Sequence, residues 1–333
     1  MFNNSNKSHS KQAIDGSVIY YFSVTHAPLP NAYITWSVFL GFIGIVALVT
    51  NVLTIAAFTQ RRLRRPPHYL LISLACADCM VASISVPIYI CVVLRVAKLT
   101  LRSRAVFWFF DFVSGMASIF TLASISLERL FAMGWPLRHR ITSPLTYAVF
   151  VTVPWVLALV VSSLPLFDMF RLLPNLFMFK VILASCSSPI VVTIIAYITL
   201  WFKVRTSDPS GHERSREKDK RLAITLVIAS IIFPFTWLPY TIVLSIINLC
   251  IKCYFSDVKL FTSLSMISLF MHLANSFVNP LVYVLRIPEF RGAIREVICR
   301  NRPFRRVGIA PLTNTRARNQ TNQTSSLPGS HDN

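Results

Sequence analysis

Four charged side chains stand out within the long apolar runs of this sequence, away from the outer rim where Lys180 lies: Asp78, Asp111, Glu128 and Arg129. In hydrocarbon each charge costs on the order of 3 kcal/mol by insertion scales, so each marks a position where the chain needs one. A desolvated carboxylate seeks a cation or hydrogen-bond donors, which gives Asp78 and Asp111 binding chemistry. The adjacent acid and base at 128 and 129 make an ion pair suited to an element with two states. Covalent chemistry has little to work with. Apart from the lone His272, which reads as a packing residue one helical turn from Ser276, no buried histidine, cysteine and acid combine. No enzymatic activity is expected.

The elements that carry these residues follow from composition. Mean hydropathy is +0.58, with 54% apolar and 14% charged residues, which a water-soluble surface would not tolerate. Seven runs are long enough to cross about 30 Å of hydrocarbon. They lie near 34–58, 68–94, 105–133, 144–165, 177–202, 222–249 and 260–285. An all-α membrane protein is predicted, a seven-helix transmembrane bundle. Arg and Lys alternate between sides unevenly, 23 of 33 on the side holding the first loop, the 203–221 connection and the tail. That side reads as cytoplasmic, so the amino terminus lies outside and the carboxyl terminus inside, in the plasma membrane. The net charge of +20 is then largely topogenic, and nucleic acid is not an expected partner.

The predicted organisation is an extracellular tail over 1–33, the bundle over 34–285, a surface helix over 286–300 and a disordered cytoplasmic tail over 301–333. Ile287, Phe290, Ile294, Val297 and Ile298 recur at helical spacing among charges, the pattern of a short amphipathic helix on the membrane surface. The stretch 205–220 reads as a polar, flexible connection. Asn3 and Asn6 open glycosylation sequons, and Cys299 is a candidate lipidation site. Cys250 and Cys253 lie at the outer end of the sixth span, where a disulfide is chemically permitted.

Several motifs stand in order on these spans: TNVL around Asn51, LISLACAD ending in Asp78, LERL with Glu128 and Arg129, Trp155, Pro189 and Tyr197, FPFTWLP, and NPLVY followed by Phe290. Together they resemble the rhodopsin-like (class A) G-protein-coupled receptors over about 34–300. The resemblance implies an extracellular ligand, a heterotrimeric G protein, arrestin and receptor kinases as partners. It implies that Asp78, Ser118, Asn275, Ser276 and Asn279 hold an allosteric sodium ion, or else form a plain hydrogen-bond network; no other cofactor is implied. Arg129 would pair with Glu128 and Asp219 at rest and turn towards Tyr197 and Tyr283 on opening. Trp237 and Phe233 would repack with Ile119 and Pro189 around the kink at Pro239, and Asn279 and Pro280 would serve the seventh helix. An opsin is not expected, because no lysine lies between Leu260 and Leu285.

The resemblance is looser at the ligand. Asp111 precedes Arg129 by roughly 27 Å of helix, where amine receptors carry the carboxylate that meets an ammonium group. Trp237, Tyr240 and Phe107 would line the same pocket. An amine is the expected ligand, with an exterior Arg or Lys as the other partner Asp111 admits. Leu269 and Leu273 stand where an aromatic cage would be, and the exterior connections carry eight basic residues against two acidic ones. No cysteine stands near the outer start of the third helix, a departure resembling melanocortin, cannabinoid and lysophospholipid receptors. A lipid or peptide ligand is the alternative, and a transporter or channel the alternative outside the receptor class. Leu130 and Thr236 replace the family's usual tyrosine and cysteine.

Overall fold

Backbone amides in hydrocarbon have no water to bond, so an apolar run of this length can satisfy them only within its own helix. The computed structural model describes residues 31–61, 63, 67–94, 96, 100–169, 175–206, 213–249 and 258–299. Among them are seven long helices: α1 (Asn31–Phe58), α2 (His68–Val93), α3 (Leu101–Gly134), α4 (Pro144–Met169), α5 (Asn175–Thr206), α6 (Glu213–Leu249) and α7 (Val258–Arg286). An eighth, α8 (Pro288–Ile298), follows at once. Six of the seven are long and apolar enough to span a bilayer, and α6 carries a shorter apolar stretch, Ile231–Val243. Neighbours in sequence pack side by side, α7 returns to α1, and α3 runs through the middle against α2, α4, α5 and α6.

The surface is turned inside out relative to a soluble protein. Phe42, Val49, Val160, Ile195, Ile198 and Phe235 are exposed, whereas Asn51, Asp78, Ser118, Glu128, Arg129, Asn275 and Asn279 are buried. Serine and threonine hydroxyls inside the helices donate back to carbonyls one turn earlier, as from Thr50 to Val46 at 2.7 Å and Ser187 to Leu183 at 2.8 Å. This satisfies hydroxyls that lipid cannot.

Local chemistry sets several boundaries. Thr100 caps α3, its hydroxyl accepting from the Ser103 amide at 3.2 Å, and starts that helix four residues before the predicted apolar edge. Pro87 removes a backbone donor from α2, and the helix widens into a π turn over Val81–Ser85 just before it. The predicted flexible connection is shorter than expected, because α6 already begins at Glu213. Glu, Arg and Lys favour helix and continue it past the apolar span into water. Of the predicted apolar face of α8, Phe290 is fully buried and stacks on Phe58 with centroids 5.1 Å apart, Ile287, Ile294 and Val297 are half-buried and Ile298 is exposed; Ala293 is buried beside them. Arg291 Nη1 donates to the carbonyls of Val284 and Leu285 and closes the end of α7.

Asn3, Asn6, Cys250 and Cys253 lie outside the described residues, as does nearly all of the tail. The chain divides at residue 298, and of the second unit only Cys299, which is exposed, is described.

Close helix approach depends on small residues. A Cβ built on Gly44 would lie 2.7 Å from Val86 Cγ1, whereas one built on Gly292 meets nothing within 4 Å. Gly44→Val should lower stability by about 1–3 kcal/mol, seen as a fall in the melting midpoint of the purified protein, while Gly292→Ala should hold or raise it. Equal effects of the two would remove the α1 to α2 contact as the cause.

Candidate functional site

The expensive polar residues gather at three depths of the bundle. The outermost is built on α2, α3, α6 and α7. Asp111 is buried, and its Oδ2 accepts the Tyr89 hydroxyl at 3.1 Å. That hydroxyl also meets the Tyr240 hydroxyl at 3.2 Å, so α2, α3 and α6 share one polar contact. Asp111 Oδ1 has no hydrogen-bond partner, and the buried Ser85 stands beside the carboxyl from the π turn of α2. His272 is buried in an aromatic stack, face to face with Tyr240 at 4.7 Å and edge-on to Trp237 at 4.6 Å. Its Nδ1 is also unpartnered. Phe107 meets Tyr89 at right angles, 5.0 Å away. A carboxylate with a free oxygen, ringed by tyrosines, suits a small cationic donor.

One layer inward Asp78 accepts from Ser118 at 3.4 Å on Oδ1 and from Asn279 at 3.0 Å on Oδ2, with Ser276 beside it. Asn275 turns away, its Oδ1 accepting the Thr236 hydroxyl of α6 at 3.1 Å. Asn51 Nδ2 donates to the Ser276 carbonyl at 2.7 Å and ties α1 to α7. Four of the five expected ion-holding residues therefore meet, and Asn275 instead joins α7 to α6. No group of three or more His, Cys, Asp or Glu able to hold a metal occurs among the described residues. The set offers one carboxylate with hydroxyl and amide oxygens, a donor chemistry that fits a monovalent hard cation rather than a transition metal.

Between these layers and the inner face, Phe233 stacks on Trp237 with centroids 5.6 Å apart. Below them Ile119, Pro189, Tyr197, Phe233 and Pro234 line an apolar cleft of about 330 Å³ between α3, α5 and α6, open towards the lipid side at Ile194, Ile198, Ile231 and Phe235. Pro239 and Pro234 both lie within α6, each without a backbone donor.

At the inner end of α3, Arg129 Nε donates to Glu128 Oε2 at 2.5 Å, and its Nη2 contacts the same oxygen. The other oxygen, Oε1, lies 3.1 Å from His139 Nε2, which also meets the Tyr147 hydroxyl at 2.7 Å. His139 sits on a one-turn helix, Pro136–Arg140, and Tyr147 on α4. The Asp219 side chain lies outside the described residues. Tyr283 is fully buried against Phe58 and Phe290, its hydroxyl unpartnered. Tyr89, Ser85, His139 and Tyr147 were not singled out in the sequence, and His272 was read only as packing. The one available signal was helical phase: Tyr89 follows Asp78 by three turns, and His139 closes the PLRHR turn beyond Arg129.

The chain as a whole has counterparts among known proteins. The family model described as 7 transmembrane receptor (rhodopsin family) matches residues 50–283. The adenosine receptor A2a of Canis lupus familiaris is 25% identical over 80% of this chain and 74% of its own length. The galanin receptor type 2 of Rattus norvegicus is 30% identical over 57% of this chain, which spans about half (55%) of that receptor. The 5-hydroxytryptamine receptor 1F of Rattus norvegicus is 23% identical over 80% of this chain and 93% of its own length. In fold, the crystal structure of squid rhodopsin superposes with a TM-score of 0.68 at 18% identity, covering 83% of this chain and 88% of that one.

Tyr89 donates a hydrogen bond to Oδ2 of the Asp111 carboxylate. Tyr89→Phe leaves that oxygen buried without a donor and should destabilise the protein by about 1–3 kcal/mol. A melting midpoint equal to the parent's would show that the bond carries no net stability.

Proposed function

The chain belongs to the rhodopsin family of seven-transmembrane receptors, and from that premise we propose that Asp111 anchors the protonated amine of a small extracellular ligand. It is a multi-pass G-protein-coupled receptor, whose partners are an extracellular ligand and a heterotrimeric G protein. The observation that supports the amine is the free, buried Oδ1 of Asp111 beside Tyr89, Tyr240, Trp237 and Phe107. An ammonium group there neutralises a charge that the bundle otherwise leaves to hydrogen bonds alone. One relative, the 5-hydroxytryptamine receptor, is named for an amine. The basic exterior connections and the missing cysteine near the start of α3 favour a second reading, an anionic lipid or a peptide.

The mechanism runs inward along α6. A ligand bridging Asp111 and the aromatic stack bears on Trp237, which can shift only with Phe233 beneath it. Phe233 repacks against Ile119 and Pro189, and the kinks at Pro234 and Pro239 let the inner half of α6 swing out. Arg129 then leaves Glu128 for Tyr197, Tyr283 and the G protein, with Asp219 as its second resting partner. A sodium ion would be held at Asp78 by Ser118, Ser276 and Asn279 in the resting state, where it would supply the charge balance that Asp78 lacks, while the amide oxygen of Asn275 stays with Thr236. Asn279 and Pro280 keep α7 in register with that cluster.

The amino terminus is outside, glycosylated at Asn3 and Asn6, and the carboxyl terminus is cytoplasmic. A bridge between Cys250 and Cys253 would stand in for the missing staple, and Cys299 would carry a lipid anchor beyond α8. Arrestin and receptor kinases would act on the open inner face and the tail over 301–333.

The test is expression in cells with a screen of amines, lipids and short peptides for cAMP and calcium responses. Asp111→Asn is expected to weaken the response to an activating amine by roughly 30-fold or more, the loss of a buried charge pair. Full potency in that variant, or activation by lipids or peptides alone, would remove Asp111 as an amine anchor. Arg129→Ala should change G-protein activation under any ligand, and an unaltered response would overturn the proposed opening mechanism.

A further inference from the structure

α5 and α6 follow one another in sequence but scarcely touch: α5 packs mainly on α3, and α6 mainly on α7. The gap between them is the cleft of about 330 Å³. Its border on α5 falls at Pro189, Thr193 and Tyr197, one per turn, and on α6 at Val227, Ile231 and Phe235. Eight residues on each helix at 1.5 Å apiece make a slot roughly 12 Å long, parallel to the helices. Dividing the volume by that length leaves a cross-section of about 28 Å². One fluid hydrocarbon chain has such a section; a fused sterol ring system is thicker.

The inner wall is closed and the outer one open. Ile119 and Leu122 of α3 are 2% and 4% exposed, whereas Ile194, Ile198, Ile231 and Phe235 at the rim are all more than half exposed. On a membrane span such a rim meets hydrocarbon, so lipid rather than water has access to the slot. Thr193 and Tyr197 apart, every described residue on its border has an apolar side chain, which leaves water almost no partners there. An empty slot would forfeit dispersion contact along each wall. Pro189 to Tyr197 runs from near the middle of the apolar span Lys180–Phe202 towards its Arg129 end, where lipid chains lie parallel to the helices.

We infer that this slot binds one acyl chain of a membrane lipid, drawn from the leaflet on the Arg129 side, and that a seated chain holds the receptor closed. The second half rests on the reading that Phe233 repacks against Ile119 and Pro189 on opening. Phe233 stands on the border of the slot, so the chain and the moving ring compete for one volume. The chain therefore binds the closed arrangement better than the open one, and its occupancy shifts the population towards closed by the same factor. Lipid is thus a second input, read from within the bilayer while the ligand arrives from outside.

The test uses the full-length receptor in nanodiscs of phosphatidylcholine that carries a diazirine midway along one acyl chain, with adducts mapped by mass spectrometry after irradiation. Ile119 and Leu122 are buried, so a chain reaches them only through the slot. Adducts are expected on Ile119, Leu122 or Phe233. Thr193→Phe, whose ring fills the space, should remove them and leave labelling of the exposed Phe42 and Val49 on α1 intact; Val227→Phe fills it from α6 if the first variant does not fold. Adducts confined to the rim overturn the site, as does labelling of α3 by a diazirine sterol and not by the chain. Basal nucleotide exchange on purified G protein is then compared between methyl-branched and straight-chain phosphatidylcholine. Branched chains are too thick for the slot, so the branched-to-straight ratio of the parent should exceed that of Thr193→Phe by roughly twofold or more. Adducts on α3 with equal ratios leave the site standing and overturn both the hold on the closed state and the reading of Phe233.

Discussion

A carboxylate surrounded by hydrocarbon must be satisfied by the protein itself, and Asp78 is the residue around which that requirement organises the bundle. Lipid supplies no hydrogen bonds, so α3 brings Ser118 and α7 brings Asn279 to its two oxygens. The same layer closes the ring of helices: Asn51 ties α1 to the Ser276 carbonyl, and Thr236 ties α6 to Asn275. Such bonds in membranes average about 0.6 kcal/mol each, too little to account for the fold by their sum. Their force lies in the alternative, since an arrangement that misaligned one helix would strand several buried polar atoms at once. Five helices are thereby held in a register that apolar packing alone, lipid-like on both sides, would not single out.

The parts of this design that were legible in the sequence are those written along one helix. Span length, the i and i+3 or i+4 pattern of α8 and the motifs bearing Asp78, Arg129, Trp237 and NPLVY are local, and they placed the helices to within a few residues. The exceptions are also local in cause: the Thr100 cap lengthens α3 outward, and charged helix formers extend α6 inward. What lay beyond sequence reading is the meeting of side chains from different helices. Tyr89 is one tyrosine among ten until α2 is rotated, by its π turn, to face Asp111. His272 read as packing because nothing in α7 alone shows that Tyr240 and Trp237 enclose it. His139 gains meaning only from Glu128 and Tyr147, which approach from two other helices. Asn275 shows the converse: its phase on α7 allowed it to join Asp78, but Thr236, at the place where the family has cysteine, offers a donor that draws it away.

That exchange bears on how α6 moves. In this chain its polar tie at mid-depth is a side-chain bond from Thr236, while Pro234 and Pro239 have removed two backbone donors within little more than one turn. Nearer the outer end the Tyr240 hydroxyl meets that of Tyr89, and the rings of Trp237 and Tyr240 pack on His272 of α7. Aromatic stacks can slide between discrete packings without exposing a polar atom, whereas a buried hydrogen-bond network cannot. The cleft bounded by Ile119, Pro189 and Phe233 lies directly beneath. Because its walls are almost wholly apolar, side chains moving into it exchange contact with hydrocarbon for contact with protein, at small cost in solvation. The polar layer at Asp78 fixes α1, α2, α3 and α7 as a frame, and the compliance needed for switching is left to α6, which that layer reaches through Thr236.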